Sequence, residues 1–185
     1  MDEDVRVTTP FEGQPHGGWD PDRPIDVPLA VHTCNVVPAW ADYNGHMSES
    51  AYLLVFGDAS DALFRIIGID EAYRAAGGSI YTVETHLRNL REAVVGEELR
   101  LTIWVIGVDD KRLHIAHEMH RGSDGQCIAT GEQLLVHVDM EAGRSAPFPS
   151  HLRERLDQIA AAHAHHNLDW IGRSIGLPAP RMKKD

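Results

Sequence analysis

Cysteine is scarce: Cys34 and Cys127 are the only two, with no CxxC spacing and no disulfide framework. Both fall in apolar, strand-like stretches and are expected as buried free thiols. Positive charge is also short, with 17 Lys and Arg against 28 Asp and Glu for a net charge of −11. That balance excludes a phosphate-tracking face and with it a nucleic-acid partner. The one basic cluster, Arg181, Lys183 and Lys184, sits at the extreme C-terminus. No apolar run reaches the length of a membrane span, which argues against a membrane partner. The first residues, MDEDVRVTTPFEG, are acidic and lack the apolar segment of a signal peptide, so the cytoplasm is the expected compartment. No internal repeat is visible.

What remains is an ordinary globular composition, 43% hydrophobic and 24% charged over 185 residues, enough for one domain with its own core. Residues 1–28 are rich in Pro, Gly and Asp and predict an irregular arm; Phe11 and Trp19 within it need a surface to cover. A domain is expected over 29–145, and a C-terminal helix and tail over 146–185. LAVHTCNVVP (29–38) reads as a strand closed by Pro38. From Ser48, Ala51, Leu54, Val55, Ala59, Ala62, Leu63, Ile66 and Ile67 recur at helical spacing, predicting a helix over 48–67 that ends at Gly68. A short helix follows over 70–76.

Four extended stretches come next, 79–90, 98–108, 111–121 and 126–140, separated by VGE, DD and GSDG turns. Short links make the last three antiparallel neighbours. An amphipathic helix is expected over 149–166, with Trp170 and Ile171 beyond it. One long helix with five antiparallel strands is satisfied when the sheet wraps the helix, an α+β architecture.

The segment PAWADYNGHMSESAYLLVF (38–56) carries the chemistry. A carboxylate ahead of a helix N-terminus, Asp42, stands beside unsatisfied N–H groups and the positive end of the helix dipole. Such donors stabilise an oxyanion, and the carboxylate can activate water or attack a carbonyl. The same residues also make an ordinary capped turn. Histidines 114, 117 and 120 invite a metal reading. In a strand, however, His114 and His120 share one face and His117 takes the other, so no three-histidine site is expected. His46 orients the loop or moves a proton. His163, His165 and His166 read as surface residues at a helix end.

DYNGHMSESAY resembles the Asp-x-x-Gly-His segment of hotdog-fold acyl-CoA thioesterases of the 4-hydroxybenzoyl-CoA thioesterase-like group. The stretch from YTVETHLRNL through VGEEL to HIAHEMHR is similar to their second to fourth strands, so the resemblance covers roughly residues 30–140. It implies a hotdog fold, a five-stranded antiparallel sheet around a central helix, and a homodimer or higher homo-oligomer. It also implies an acyl-CoA substrate and no cofactor beyond the CoA of that substrate. By position, Asp42 matches the catalytic carboxylate, with Asn44, Gly45, His46, Met47 and Ser48 as loop and oxyanion support. Where many members carry asparagine after the His-Met pair, this chain has Ser48 and Glu49.

YTVETHLRNL, DDKRLHIAHEMHR and GEQLLVHVDMEAGRSAPFP further resemble the thioesterases of carnitine breakdown that hydrolyse betainyl-CoA. A trimethylammonium acyl group calls for aromatic faces and carboxylates, for which Trp40, Tyr43, Tyr81, Glu84 and Trp104 are candidates. Arg88, Arg91 and Arg112 are candidates for the CoA phosphates, with Lys111 and Arg121 nearby. Alternatives are another short or aromatic acyl-CoA, a binding module without turnover, or a hotdog hydratase. The hydratase pattern Asp-x-Asn-Pro-x-His puts five steps between Asp and His, whereas DYNGH has four and no proline.

Overall fold

The structure, a computed structural model, describes residues 8–177, so Arg181, Lys183 and Lys184 lie outside the described residues. Strand β1 spans Leu29–Asn35 and a 3-10 turn Pro38–Trp40 leads to helix α1, Glu49–Ile67. Helix α2 (Glu71–Ala75) precedes β2 (Gly78–Asn89), β3 (Glu98–Val108), β4 (Arg112–Arg121) and β5 (Cys127–Asp139). A two-residue strand β6 (Arg144–Ser145), which the sequence does not announce, and helix α3 (Ser150–His163) complete the order.

The sheet is antiparallel in the order β1-β3-β4-β5-β2, with β6 added to β5. Its inner face closes on α1. Val55, Phe56, Leu63 and Ile67 of the helix are fully buried and share one core with Leu99, Leu101, Ile103, Leu113, Ile115, Met119 and Leu135. Each such side chain contributes about 1.5–3 kcal/mol of burial. Glycine in mid-strand has a reason here: a Cβ at Gly131 would meet the Phe56 ring at 3.1 Å. Gly68 ends α1 in the left-handed region, φ 99°, and Asp70 caps α2 by accepting from the Tyr73 amide at 2.9 Å.

The arm lies on the domain. Phe11 meets the His32 ring edge-on at 5.2 Å, and Trp19 packs against the core. Trp170 and Ile171 of the tail are half-buried. Of the surface histidines expected near the end of α3, His163 is instead buried. It accepts from the Val105 amide at 2.9 Å through Nδ1, and its Nε2 meets the Asp26 carbonyl at 3.1 Å. One imidazole thus fills the gap left by the bulge at Val105–Gly107 and ties α3 to the arm.

His117 points inward, onto Phe56, and shares Nε2 with Ser60 and Gln133. Burial pushes its pKa down to about 4, so it is a neutral core residue. His114 faces outward to Glu132 at 2.8 Å.

Asp58 of α1 is buried, and burial together with the neighbouring Asp61 carboxylate pushes its pKa up to about 6 from 3.8. The folded state therefore holds this proton more tightly than the unfolded chain does. Below about pH 4 both states are protonated and the group costs nothing. Between pH 4 and 6 the cost grows, and above 6 it is complete, about 3 kcal/mol for about two pH units. Asp58→Asn is expected to stabilise the protein by about 2–3 kcal/mol at pH 7 and by little at pH 4, as read from urea unfolding at both. An equal gain at both pH values would remove ionisation as the cause.

Candidate active site

The turn between the 3-10 helix and α1 is built around Asp42. Its backbone N–H donates to the His46 carbonyl at 2.8 Å and its carbonyl accepts from Gly45 at 3.0 Å. Its Oδ1 accepts from the Asn44 amide at 2.8 Å and from the His46 amide at 3.4 Å. Gly45, at φ 80°, closes the turn in a conformation that suits glycine. Ala41 then bridges Met47, and His46 bridges Val94. Met47 donates to the Ala93 carbonyl at 2.8 Å and Ser48 to the Trp40 carbonyl at 2.9 Å. The loop is thus pinned to the 92–94 segment, with the His46 ring 3.4 Å from Glu92.

This geometry corrects one expectation. The amides of Asn44, Gly45, His46, Met47 and Ser48 are all occupied, within the loop or, for Met47, by the Ala93 carbonyl, so they support it rather than face a substrate oxygen. Ser48 caps α1 without a side-chain hydrogen bond. Among the described residues, the Glu49 and Ser50 amides find no acceptor outside the helix. The open donors therefore lie one step later, in the first turn of α1, where the helix dipole adds its positive end. Asp42 Oδ2 likewise has no hydrogen-bond partner among the described residues. One carboxylate oxygen holds the turn and the other is unengaged among the described residues.

An open cavity of about 230 Å³ adjoins this helix end, lined by Met47, Glu49, Tyr52 and the 89–92 segment at the end of β2. Tyr52 was not singled out from the sequence. Its hydroxyl donates to the Arg91 carbonyl at 3.2 Å, and burial pushes the phenol pKa up. Helical spacing places it on the inner stripe, three residues past Glu49, and that was the available signal. Arg121 braces the same wall, donating to the Glu92 carbonyl at 3.0 Å while pairing with Glu97.

The other candidates separate. Trp40 packs against the core beside the loop. Tyr43 is 97% exposed, so within one copy of the chain it forms no wall. Arg91 lines the cavity, and Arg88 lies half-buried on β2. Arg112 stands at the opposite end of β4 from Arg121, about 30 Å away at 3.3 Å per residue, and is held by Asp109. It cannot serve the same site in one subunit. Trp104 is on the outer face, buried against His163 and His166, with its indole N–H on Glu118 at 3.1 Å. Its place is structural. Tyr81 and Glu84 lie on the exposed edge strand β2, away from the Asp42 loop of their own chain. Cys34 and Cys127 are half-buried free thiols. Burial first, then Asp58 and Glu118 respectively, pushes both pKa values up to about 11, so neither is an activated nucleophile.

Residues 36–156 match the Thioesterase-like superfamily. A Rhizobium meliloti protein named L-carnitine dehydrogenase/betainyl-CoA thioesterase is 45% identical over 162 residues, covering 86% of this chain and 33% of that protein. The chain thus spans about a third of the length of such two-function relatives. Betainyl-CoA thioesterase of Pseudomonas aeruginosa is 41% identical over 155 residues, covering 83% of this chain and 98% of that one. Among solved structures, a Pseudomonas putida protein assigned as a thioesterase superposes with TM-score 0.72 at 34% identity, over 82% of this chain and 98% of its own. A Staphylococcus aureus protein solved with CoA shares the fold, with TM-score 0.75 at 22% identity over 84% of this chain and all of its own. The wrapped sheet and the central helix are therefore those of a hotdog protein, and the chain belongs to the thioesterase-like superfamily.

Proposed function

We propose that the protein hydrolyses an acyl-CoA thioester to a free acid and CoA, and that betainyl-CoA is its substrate. The observations that carry this reading are the free Asp42 oxygen in the turn that leads into α1 and the uncapped first turn of that helix. Asp42 takes the proton of an attacking water, or attacks the carbonyl itself to give, once CoA has left, an acyl-aspartyl anhydride that water then hydrolyses to the free acid and the Asp42 carboxylate. The Glu49 and Ser50 amides receive the oxyanion, and collapse of the tetrahedral centre expels the CoA thiolate, which takes up a proton. No step draws on a cofactor. Betainyl-CoA is favoured by the names of the relatives and by carboxylates at the cavity, Glu49 and Glu92, with the Tyr52 ring in its lining.

The working unit is a homodimer. Strand β2 is a 12-residue edge with Tyr81 and Val83 more than half exposed, the kind of edge that pairs with another strand. Antiparallel pairing of two such edges about Thr85 sets Tyr81 of one copy against Asn89 of the other, beside its Arg88–Arg91 end, and Glu84 against His86. Free thiols and a CoA substrate fit the reducing cytoplasm.

A substrate panel tests the acyl group. kcat/KM for betainyl-CoA is expected to exceed that for the neutral isostere, 3,3-dimethylbutanoyl-CoA, by about tenfold or more, since a desolvated cation–aromatic contact gives about 2 kcal/mol. Equal values would remove cation recognition but leave thioester hydrolysis standing.

A further inference from the structure

On the outer face of the sheet, away from α1, Glu118, His120 and Cys127 bring a carboxylate oxygen, an imidazole nitrogen and a thiol sulfur within 4.8 Å of one another. All three side chains are half-buried. We propose that this cluster is a binding site for a borderline-soft divalent cation of the zinc type, fixing β4 to β5.

The backbone makes the cluster. Glu118 and His120 are two apart on β4 and share its outer face. The register between β4 and β5 shifts by one residue at Met119/His120, where Ile128 is the extra residue that enters the core. That bulge sets Cys127 directly across from His120. Without it, Cys127 would point to the other face.

Each polar ligand carries the outer partner that metal sites use. His120 Nδ1 lies 3.2 Å from the Gly125 carbonyl. A carbonyl only accepts, so Nδ1 carries the proton and Nε2, 3.7 Å from Glu118 Oε2, is left as the ligand atom. Glu118 Oε2 accepts from Trp104 Nε1, which orients the carboxylate. A second observation points at the same spot. Thr102 and Thr130 are the cross-strand neighbours of Glu118 on either side, so their side chains share its face. Their Oγ1 atoms are buried without a hydrogen-bond partner, and Thr130 is only 3% exposed. These hydroxyls supply partners for a water or carboxylate oxygen at a bound ion.

Thiolate with imidazole selects zinc or cobalt over magnesium or calcium, and three protein ligands leave a fourth position for water. Bringing the three atoms from 4.8 Å to the spacing of a tetrahedral site needs side-chain movement of about 1 Å, within the reach of Glu and His rotamers. On binding, the thiol proton is released to solvent and no other bond changes.

Cobalt(II) added to the metal-free protein tests this. A thiolate-to-cobalt charge-transfer band with tetrahedral d–d bands is expected at one equivalent, displaced by zinc, with a rise in melting temperature on zinc addition. Cys127→Ser and His120→Gln should each lose the band and the rise while remaining folded by circular dichroism. Cys34→Ser should keep both. Absence of a charge-transfer band, as from surface histidines alone, or its loss only in Cys34→Ser, would overturn the proposal. The readout does not pass through turnover, so it stands or falls apart from the Asp42 reading.

Discussion

Asp42→Asn is expected to lower kcat/KM on acyl-CoA by about 100- to 10,000-fold, with the loss in kcat, while the melting temperature stays within a few degrees of wild type. Asparagine keeps the oxygen that accepts from the Asn44 and His46 amides, so the turn survives the change. What disappears is the negative charge on the second oxygen, which both a base and a nucleophile need. Asp42→Ala removes the turn contacts as well, and is expected to lose stability together with activity. Glu49→Gln serves as the control for the other nearby carboxylate, since Glu49 is an exposed first-turn residue and its loss should change kcat by only a few-fold. Near wild-type turnover in Asp42→Asn with a large loss in Glu49→Gln would transfer the chemistry to Glu49.

Local periodicity explains why so much of the fold was legible in the sequence. The α1 stripe and the four long strands announce themselves by their spacing, and turn chemistry bounds them within one or two residues. The sheet order did not follow as readily. β2 sits at the edge beyond β5, a pairing between segments some fifty residues apart that no local pattern encodes. Asp42 could be nominated because its residue type, its turn and the helix after it all lie in one short stretch. That the 44–48 amides are already occupied could not be read from the sequence, because the hydrogen bonds of a loop depend on what lies opposite. Here that is the 92–94 segment, brought in by tertiary contacts. The same reason separates Trp104, Arg112 and Tyr81 from the Asp42 loop. Residue type nominated them, whereas position on a face or at a strand end decides. His163 shows the converse, since a bulge in β3 recruits it.

The largest stability effect is expected from Arg65→Met, at the other end of α1. Arg65 is 3% exposed, and donates from Nε to Asp61 at 2.8 Å and from Nη2 to Glu71 at 2.5 Å. These contacts tie α1 to α2, and the arm joins through Thr9 on Asp61 and Gly13 on Glu71. Methionine fills much of the volume but leaves Asp61, itself 11% exposed, with only Thr9 and a distant Arg74 at 3.8 Å. An uncompensated buried carboxylate costs about 3–5 kcal/mol. At about 2–4 °C per kcal/mol for a chain of this size, the melting temperature should fall by roughly 10 °C. A double change, Arg65→Met with Asp61→Leu, removes the orphan charge and should recover most of that loss; if it recovers none, packing and not charge was the cause. Acid titration separates the Glu71 contact. The Arg65 hydrogen bond, then the Gly13 amide, holds the Glu71 pKa down to about 2 from 4.5. That contribution is present above about pH 4.5 and is lost as pH falls toward 2, so wild type should lose more stability across this window than Arg65→Met does. Turnover by the folded variant should persist, because Arg65 lies 16 residues, about 24 Å of helical rise, from the first turn where the chemistry is placed.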